Sequence, residues 1–199
     1  MRRMFFAVAM VLAALTSNAF TSTAFAEDGD TPHHFNGGLG FHSVEAPIGV
    51  RWWFAGQKVG LDLGLGYGSR PASSDGYPDE NLTNYALEVG VPFVFKSWDR
   101  VHVMFRPGLL YQSSDYTISD ATPPPPEPFK TESATSMTIV GEFEAEVFLA
   151  NNLSVSASHG IGFTSTDPGG IADSETTFGT FGNNFTNIGF HFYFFGGGQ

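Results

Sequence analysis

Charged residues in this chain are spaced so that carboxylate and guanidinium groups could meet. Glu142, Glu144 and Glu146 occupy every second position, which on a β-strand places all three side chains on one face. Clustered carboxylates can bind a cation, transfer a proton or, with a cationic partner, form a buried ion-pair network. Arg51 and Arg106 are the candidate partners. Which of these chemistries applies depends on the elements that position the side chains.

The positioning elements are predicted to be β-strands, because apolar residues recur at every second position. In the stretch 58–70, KVGLDLGLGYGSR, the apolar positions alternate with positions that are mostly glycine. The same alternation recurs in seven further segments, at 35–42, 47–55, 84–96, 100–113, 134–149, 153–164 and 183–195. No segment has a convincing helical pattern, so an all-β fold with eight strands is predicted.

The predicted connections alternate strictly between short and long. The short ones are Gly56-Gln57, interpreted as a type II′ turn, and residues 97–99 and 150–152. The others lie at 69–83, 114–133 and 165–182, with a shorter one near 43–46. A soluble lipocalin-like barrel has no reason to keep its long loops at one end, whereas outer-membrane barrels do so. The prediction is an eight-stranded antiparallel up-and-down transmembrane β-barrel with short periplasmic turns and long extracellular loops.

The strand faces opposite the apolar ones carry the charged residues. Counting back from the Gly56-Gln57 turn puts Arg51 across from Asp62, and Trp53 across from Gly60. Because an eight-stranded barrel is just wide enough for side chains to fill it, such charges must be paired inside. The predicted interior charge network comprises Arg51, Asp62, Glu88, Arg106, Glu142, Glu144 and Glu146. Further inward positions are predicted for Lys58, Lys96, His102, His191, Ser154, Ser156 and Ser158.

The register of the next hairpin follows from the same kind of count. Pairing Phe95 with Val101 puts Arg106 diagonal to Glu88, within reach of a long side chain. Pro92 and Pro107 each remove a donor from a strand interior, so a bulge is predicted at both.

Outward-facing aromatic residues sort by height along the predicted strands, as two membrane interfaces select. At the long-loop ends these are Tyr67, Tyr85 and Tyr111. At the short-turn ends they are Phe35, Phe54, Phe95, Trp98 and Phe194. The leucines between the two belts are therefore expected to face lipid.

The N-terminus has the features of a secretory signal. Arg2 and Arg3 precede an apolar run, and Ala24 and Ala26 give the small-x-small pattern, so cleavage after Ala26 is predicted. Residues 27–199 then form one barrel domain. The chain has formal charge −11 and no cysteine, so nucleic acid is not an expected partner and disulfides do not hold the fold.

On these patterns the chain resembles the small eight-stranded outer-membrane proteins of Gram-negative bacteria, the OmpA transmembrane domain and OmpX being the familiar types. The end NIGFHFYFF, at 187–195, looks like the aromatic C-terminal strand that the barrel-assembly machinery reads, although GGGQ follows it. The resemblance implies an outer-membrane location, outer-membrane lipid and lipopolysaccharide as surroundings, assembly through the last strand, and a monomer.

The sequence gives only weak signals for an enzymatic or a metal site. His159 points outward, but Ser158 points the other way and Ser43 directly follows His42, so no His-x-Ser pair forms on one face. A hydrogen bond to a neighbouring strand, or a local bulge, is the favoured interpretation of His159. His33-His34 beside Asp28 and Asp30 could hold a metal only weakly. No catalytic, metal or cofactor-binding residue is therefore assigned, and no cofactor is expected.

The remaining acidic residues and prolines lie in the predicted loops. The loop acids could bind divalent cations, but no spacing matches a calcium loop, and a solvated surface is favoured; they are Asp75, Asp79, Glu80, Asp115, Asp120, Asp167, Asp173 and Glu175. The polyproline stretch 121–129 is interpreted as a stiff spacer. The expected function is non-enzymatic, structural or surface-interacting. A narrow pore for ions or small solutes, a lipid A-modifying enzyme and a soluble ligand-binding barrel remain the alternatives.

Overall fold

The computed structural model describes residues 35–72, 80–118, 130–170, 173–180 and 185–195. The predicted signal segment, His33-His34 with the neighbouring aspartates, the polyproline stretch and the GGGQ tail lie outside the described residues, as do Asp75, Asp79 and Asp120. Within the described ranges, no helix has the length and apolar character needed to cross a membrane.

The described residues form a closed, eight-stranded antiparallel β-barrel, which confirms the predicted barrel architecture. Its wall consists of ten strand segments, because β4 and β5 together make one strand of the barrel and β9 extends the sheet beside β8. The barrel closes where β10 pairs with both β1 and β8. The segments are β1 Gly37–Phe41, β2 Ile48–Phe54, β3 Val59–Ala72, β4 Glu80–Gly90, β5 Phe93–Trp98, β6 Val101–Ile118, β7 Lys130–Ala150, β8 Leu153–Asp167, β9 Glu175–Gly179 and β10 Thr186–Phe195.

The β2–β3 hairpin has the register counted from its turn. Arg51 pairs with Asp62, and Trp53 pairs with Gly60. The turn itself differs from the type II′ prediction, because Ala55, Gly56 and Gln57 all have positive φ, at 49°, 64° and 65°, and the ladder ends at the Phe54–Val59 pair. The register is nevertheless the one counted, because the four-residue loop 55–58 is centred on Gly56 and Gln57, as a two-residue turn would be.

The predicted fourth strand is interrupted at Val91-Pro92, and the predicted Phe95–Val101 pair is wrong. Trp98 pairs with Val101 instead, and a register shift between Val94 and Lys96 leaves Phe95 out of the ladder. Pro107 makes no bulge in the β6–β7 ladder, which runs without a shift from Val101 to Ile118. The bulge prediction therefore fails at Pro107. The carbonyl oxygen of Pro107 accepts a hydrogen bond from Val91 N, at 3.0 Å, beside the break in the neighbouring strand.

Several strands continue past their predicted ends. The β3–β4 ladder reaches the Ala72–Glu80 pair, and the β6–β7 ladder reaches the Ile118–Lys130 pair. Residues predicted as loops at 69–83 and 114–133 thus lie partly in strands. The added residues are mostly polar, and backbone hydrogen bonds continue a ladder without any apolar alternation.

The barrel has an apolar outer surface and a polar interior. Leu65 and Ile188 on the outer face are 57% and 69% exposed, whereas Arg51 and Glu142 on the inner face are 0% exposed. Alternation along each strand produces this division, because successive side chains point to opposite faces. In β8, for example, every serine from Ser154 to Ser158 is buried and Val155 and Ala157 are exposed.

Three residues do not lie on the face of the barrel that was predicted for them. Phe35 packs against the apolar cluster inside the barrel instead of joining an outer belt. Phe35 lies before the first residue of β1, Gly37, so the alternation of that strand does not set the direction of its side chain. Lys58 and Lys96, predicted to point inward, are exposed, Lys58 in the β2–β3 turn and Lys96 at the β5 register shift.

Candidate functional site

The centre of the barrel is occupied by two arginines, each bound to three carboxylates. Arg51, on β2, forms a bidentate pair with its cross-strand neighbour Asp62, at 2.7 and 2.8 Å. Across the barrel it donates to Glu144 of β7 at 2.9 and 3.0 Å, and to Glu146 at 3.3 Å. The planar guanidinium presents several donors in a fixed geometry, which suits such multiple carboxylate contacts.

Arg106, on β6, joins the second half of the network. Its Nε donates to Asp62 at 2.7 Å, its Nη1 to Glu142 at 2.8 Å and its Nη2 to Glu88 at 2.6 Å. Asp62 therefore links both arginines. Glu142 is the direct cross-strand partner of Arg106, whereas Glu88 is reached along the barrel wall from β4. The structure thus brings together all seven residues of the predicted interior charge network.

Hydroxyl groups satisfy further carboxylate oxygens. Ser154 donates to Glu146 at 2.5 Å, and Ser158 donates to Glu142 at 3.3 Å. Both serines come from β8, which pairs with β7. Ser156 lies between them, but its Oγ has no hydrogen-bond partner. Buried charges are tolerated only when they are paired and hydrogen-bonded, and these contacts meet that requirement for most of the network oxygens.

The connection between β1 and β2 folds into the barrel, which the sequence reasoning did not predict. His42, Ser43 and Ala46 are all buried. His42 Nε2 lies 3.0 Å from Glu142 Oε2, and Ser43 donates to Glu88. Residues 42–47, here named the inward loop, therefore close the network at the end of the barrel opposite the short turns.

Glycines of β3 make room for the inward loop. A Cβ at Gly64 would lie 3.1 Å from Ala46 Cβ, and a Cβ at Gly66 would collide with the Glu45 carbonyl oxygen. On β4, a Cβ at Gly90 would collide with the Arg106 guanidinium. The inward glycines thus accommodate one long charged side chain, as predicted, but also a segment of backbone.

An apolar layer lies below the network, towards the short turns. It consists of Trp53, Val94, Met104, Phe148 and Tyr193, with Phe35 against it. Tyr193 joins this layer to the network, because its hydroxyl donates to Glu146 at 2.7 Å and accepts a hydrogen bond from Trp53 Nε1 at 3.3 Å. The position of Tyr193 on the inner face of β10 could have been read from the same alternation that placed His191 inside.

The interior leaves little empty space at the level of the network. One cavity of about 10 Å³ lies beside Asp62, Glu88 and Arg106, and a second of about 10 Å³ lies beside Glu88, Glu142 and Asn187. Each can hold about one water molecule. A larger recess of about 320 Å³ opens above the inward loop, between Glu45, Gly68 and Gln112.

Two of the described histidines, His159 and His42, each already contact a neighbouring side chain. His159 lies on the outer face, and its Nδ1 is 2.7 Å from Thr186 Oγ1 on the paired strand β10, which confirms the favoured interpretation. His42, Asp62 and Glu144 place one potential metal-ligand atom each within 4.8 Å of one another. However, Asp62 and Glu144 already bind Arg51 through both carboxylate oxygens, so this group is part of the ion-pair network.

The other predicted aromatic residues lie on the outer face or near it. Tyr67 is opposite Tyr85 in the β3–β4 ladder, and the Tyr85 and Tyr111 rings are 6.0 Å apart, so the tyrosines form one cluster at the end away from the short turns. Phe54, Phe95, Trp98 and Phe194 are exposed at the opposite end.

Comparison of the chain with models of known protein families, with curated proteins and with solved structures gave no match.

Proposed function

We propose that this chain is an integral β-barrel of a Gram-negative outer membrane, with a side-chain-filled interior and a non-enzymatic structural or surface-interaction role in the cell envelope. The observation that carries the proposal is the exposed apolar side chains found on all eight strands of the barrel. One example from each strand is Leu39, Val50, Leu63, Leu87, Phe105, Phe143, Ile161 and Phe190.

Hydrocarbon is the solvent that suits this surface. Soluble monomers rarely expose contiguous apolar patches above a few hundred Å², because apolar area left in water forgoes about 25 cal/mol per Å². Strands need about 9–11 residues to cross a bilayer. β3 and β10 have 14 and 10 residues, and the apolar alternation of β3 runs from Val59 to Tyr67. The tyrosine cluster at one end and the phenylalanines at the other would then mark the two interfaces.

The filled interior supports a sealed barrel rather than a pore. Arg51, Arg106 and Glu144 span the barrel at 0–1% exposure, and Met104 and Tyr193 fill the layer below at 0% and 1%. An ion passing through would have to break a network of charge-assisted hydrogen bonds. The barrel would therefore hold the chain in lipid and lipopolysaccharide and present its outer loops, as a monomer, after assembly through β10.

One preparation tests both halves of the proposal. Expressed with its N-terminal segment in a Gram-negative host, the chain is expected in the outer-membrane fraction, with heat-modifiable migration on gels. Purified from that fraction and placed in a planar bilayer, it should give no conductance steps above those of a protein-free bilayer. Recovery as a soluble periplasmic protein would contradict the membrane placement. Steady conductance would contradict the seal and favour the narrow pore, and altered lipid A acylation by mass spectrometry would favour the enzyme.

A further inference from the structure

Three basic residues lie together at the short-turn end of the barrel. Lys58 is in the β2–β3 turn, Lys96 is near the end of β5, and Arg100 is in the turn between β5 and β6. The two turns are neighbours, because β5 pairs with β3 and Val94 N donates to the Lys58 carbonyl oxygen at 2.9 Å. All three basic side chains are exposed, and together they are here named the basic rim.

The charge of the basic rim is not neutralised by the protein. Within the part of the chain that the structure describes, no carboxylate forms an ion pair with any of its three members. Asp99 is the one acidic residue in the same pair of turns, so a formal excess of two positive charges remains. The third short turn, Asn151-Asn152, is uncharged.

The opposite end of the barrel has the opposite charge, in a chain whose formal net charge is −11. Apart from the two buried network arginines, the other basic residues of the described strands are Arg70 and Lys130, and both belong to that end. They are outnumbered there by acids such as Asp115, Asp167 and Glu175. An anionic ligand is therefore repelled from that end and attracted to the basic rim.

The backbone of β5 turns Lys96 towards the outer surface. Strand alternation predicts this side chain inside the barrel, but the register shift between Val94 and Lys96 leaves it exposed. Bulges commonly re-aim a side chain in this way. Lys96 Nζ lies 5.7 Å from the centroid of the Trp98 ring, and Trp98 is 53% exposed. The ammonium group is thus held beside an aromatic ring of the type that marks the level of lipid headgroups.

We propose that the basic rim binds the phosphate headgroup of an anionic phospholipid, such as phosphatidylglycerol, in the leaflet at the short-turn end. The inference rests on the proposed membrane placement and adds a lipid specificity to it. Lysine and arginine side chains close to a bilayer surface attract anionic lipids, and the arginine guanidinium can donate two hydrogen bonds to one phosphate. The acyl chains of the bound lipid would lie against the exposed rings of Phe95 and Trp98.

Quenching of Trp98 fluorescence by brominated lipids tests the proposal. Trp52→Phe removes the other exposed tryptophan, and Trp53 is only 3% exposed, so quenching from the lipid then reports on Trp98. The folded barrel is placed in phosphatidylcholine vesicles that contain a small fraction of brominated phosphatidylglycerol or brominated phosphatidylcholine. The quenching constant is expected to be at least about tenfold larger for the brominated phosphatidylglycerol. High salt should reduce this ratio, because exposed charges are screened.

Variants of the basic rim locate the preference. In the Trp52→Phe background, Lys58→Gln and Arg100→Gln should each lower the ratio of quenching constants by about fivefold, the usual contribution of one basic group near a bilayer surface. Arg70→Gln is the matched control, because Arg70 is exposed at the opposite end of the barrel, and the ratio should not change. Heat-modifiable migration shows that each variant has folded.

Equal quenching by the two brominated lipids would overturn the proposal but not the membrane placement, because Trp98 would still touch lipid. Absence of quenching by either lipid would contradict both. A preference for phosphatidylglycerol that is unchanged in Lys58→Gln and in Arg100→Gln would also overturn the proposal, since the anionic lipid would then bind elsewhere on the barrel.

Discussion

Replacing Arg51 with methionine is expected to lower the free energy of unfolding by about 3–5 kcal/mol, the usual cost of removing one partner from a buried ion pair. The reason lies in what the substitution leaves behind. Asp62 and Glu144 would each lose two donors and Glu146 would lose one, in a region with 0–4% exposure. Methionine fills much of the same volume, so the lost charge dominates the effect.

Urea titration of the barrel in lipid vesicles, followed by tryptophan fluorescence, measures this change. Arg70→Met is the matched control, because Arg70 is exposed on β3 and its loss should change stability by no more than about 0.5 kcal/mol. Adding Glu144→Gln to Arg51→Met should cost less than the sum of the two single changes, since both act on one contact. Equal stability of Arg51→Met and Arg70→Met would show that the network does not hold the barrel together.

A charge on the outer face is expected to have the second large effect. Leu63→Arg places a guanidinium in the middle of the exposed apolar band of β3, where a lipid environment makes it cost about 2–4 kcal/mol. On a water-exposed surface the same change would alter stability by only about 0.5 kcal/mol. The size of the stability change therefore shows whether lipid or water covers this face.

The same strand supplies the control for this second change. Ser69 lies on the outer face of β3 beyond Tyr67, so Ser69→Arg should be nearly neutral. Unfolding in vesicles of both variants and the wild type gives the comparison. Indistinguishable midpoints for Leu63→Arg and Ser69→Arg would contradict the proposed placement of the band.

Local alternation was enough to predict which residues form the wall and which side chains turn inward. The Arg51–Asp62 pair followed from counting back from Gly56 and Gln57, and it holds because the observed loop 55–58 is centred on the same two residues. Where a bulge intervenes, the same count fails. The shift at Lys96 displaced Phe95 from its predicted pair and left Lys96 exposed, and Phe35 lies before β1 begins, where strand alternation does not set its direction.

The inward loop could not be predicted from its own residues. Its fold depends on space left by Gly64 and Gly66 and on carboxylates of β4 and β7, which meet only when the barrel closes. The excess of inward glycines on β3 indicated that something besides the arginine side chains fills the interior, because two arginines alone do not need that much room. Contacts between residues about 100 positions apart, such as His42 with Glu142, form only when the barrel closes, so local sequence spacing does not predict them.

Spin labels on the outer face test most directly whether hydrocarbon surrounds the barrel. The chain has no cysteine, so single cysteines at Leu63, Val89, Ile161 and Ser69 can each be labelled without side reactions. In vesicles, labels at the first three positions should collide readily with oxygen and rarely with a water-soluble nickel complex, whereas the label at Ser69 should show the reverse. High nickel accessibility at all four positions would mean that water covers the leucines, and the account would be wrong.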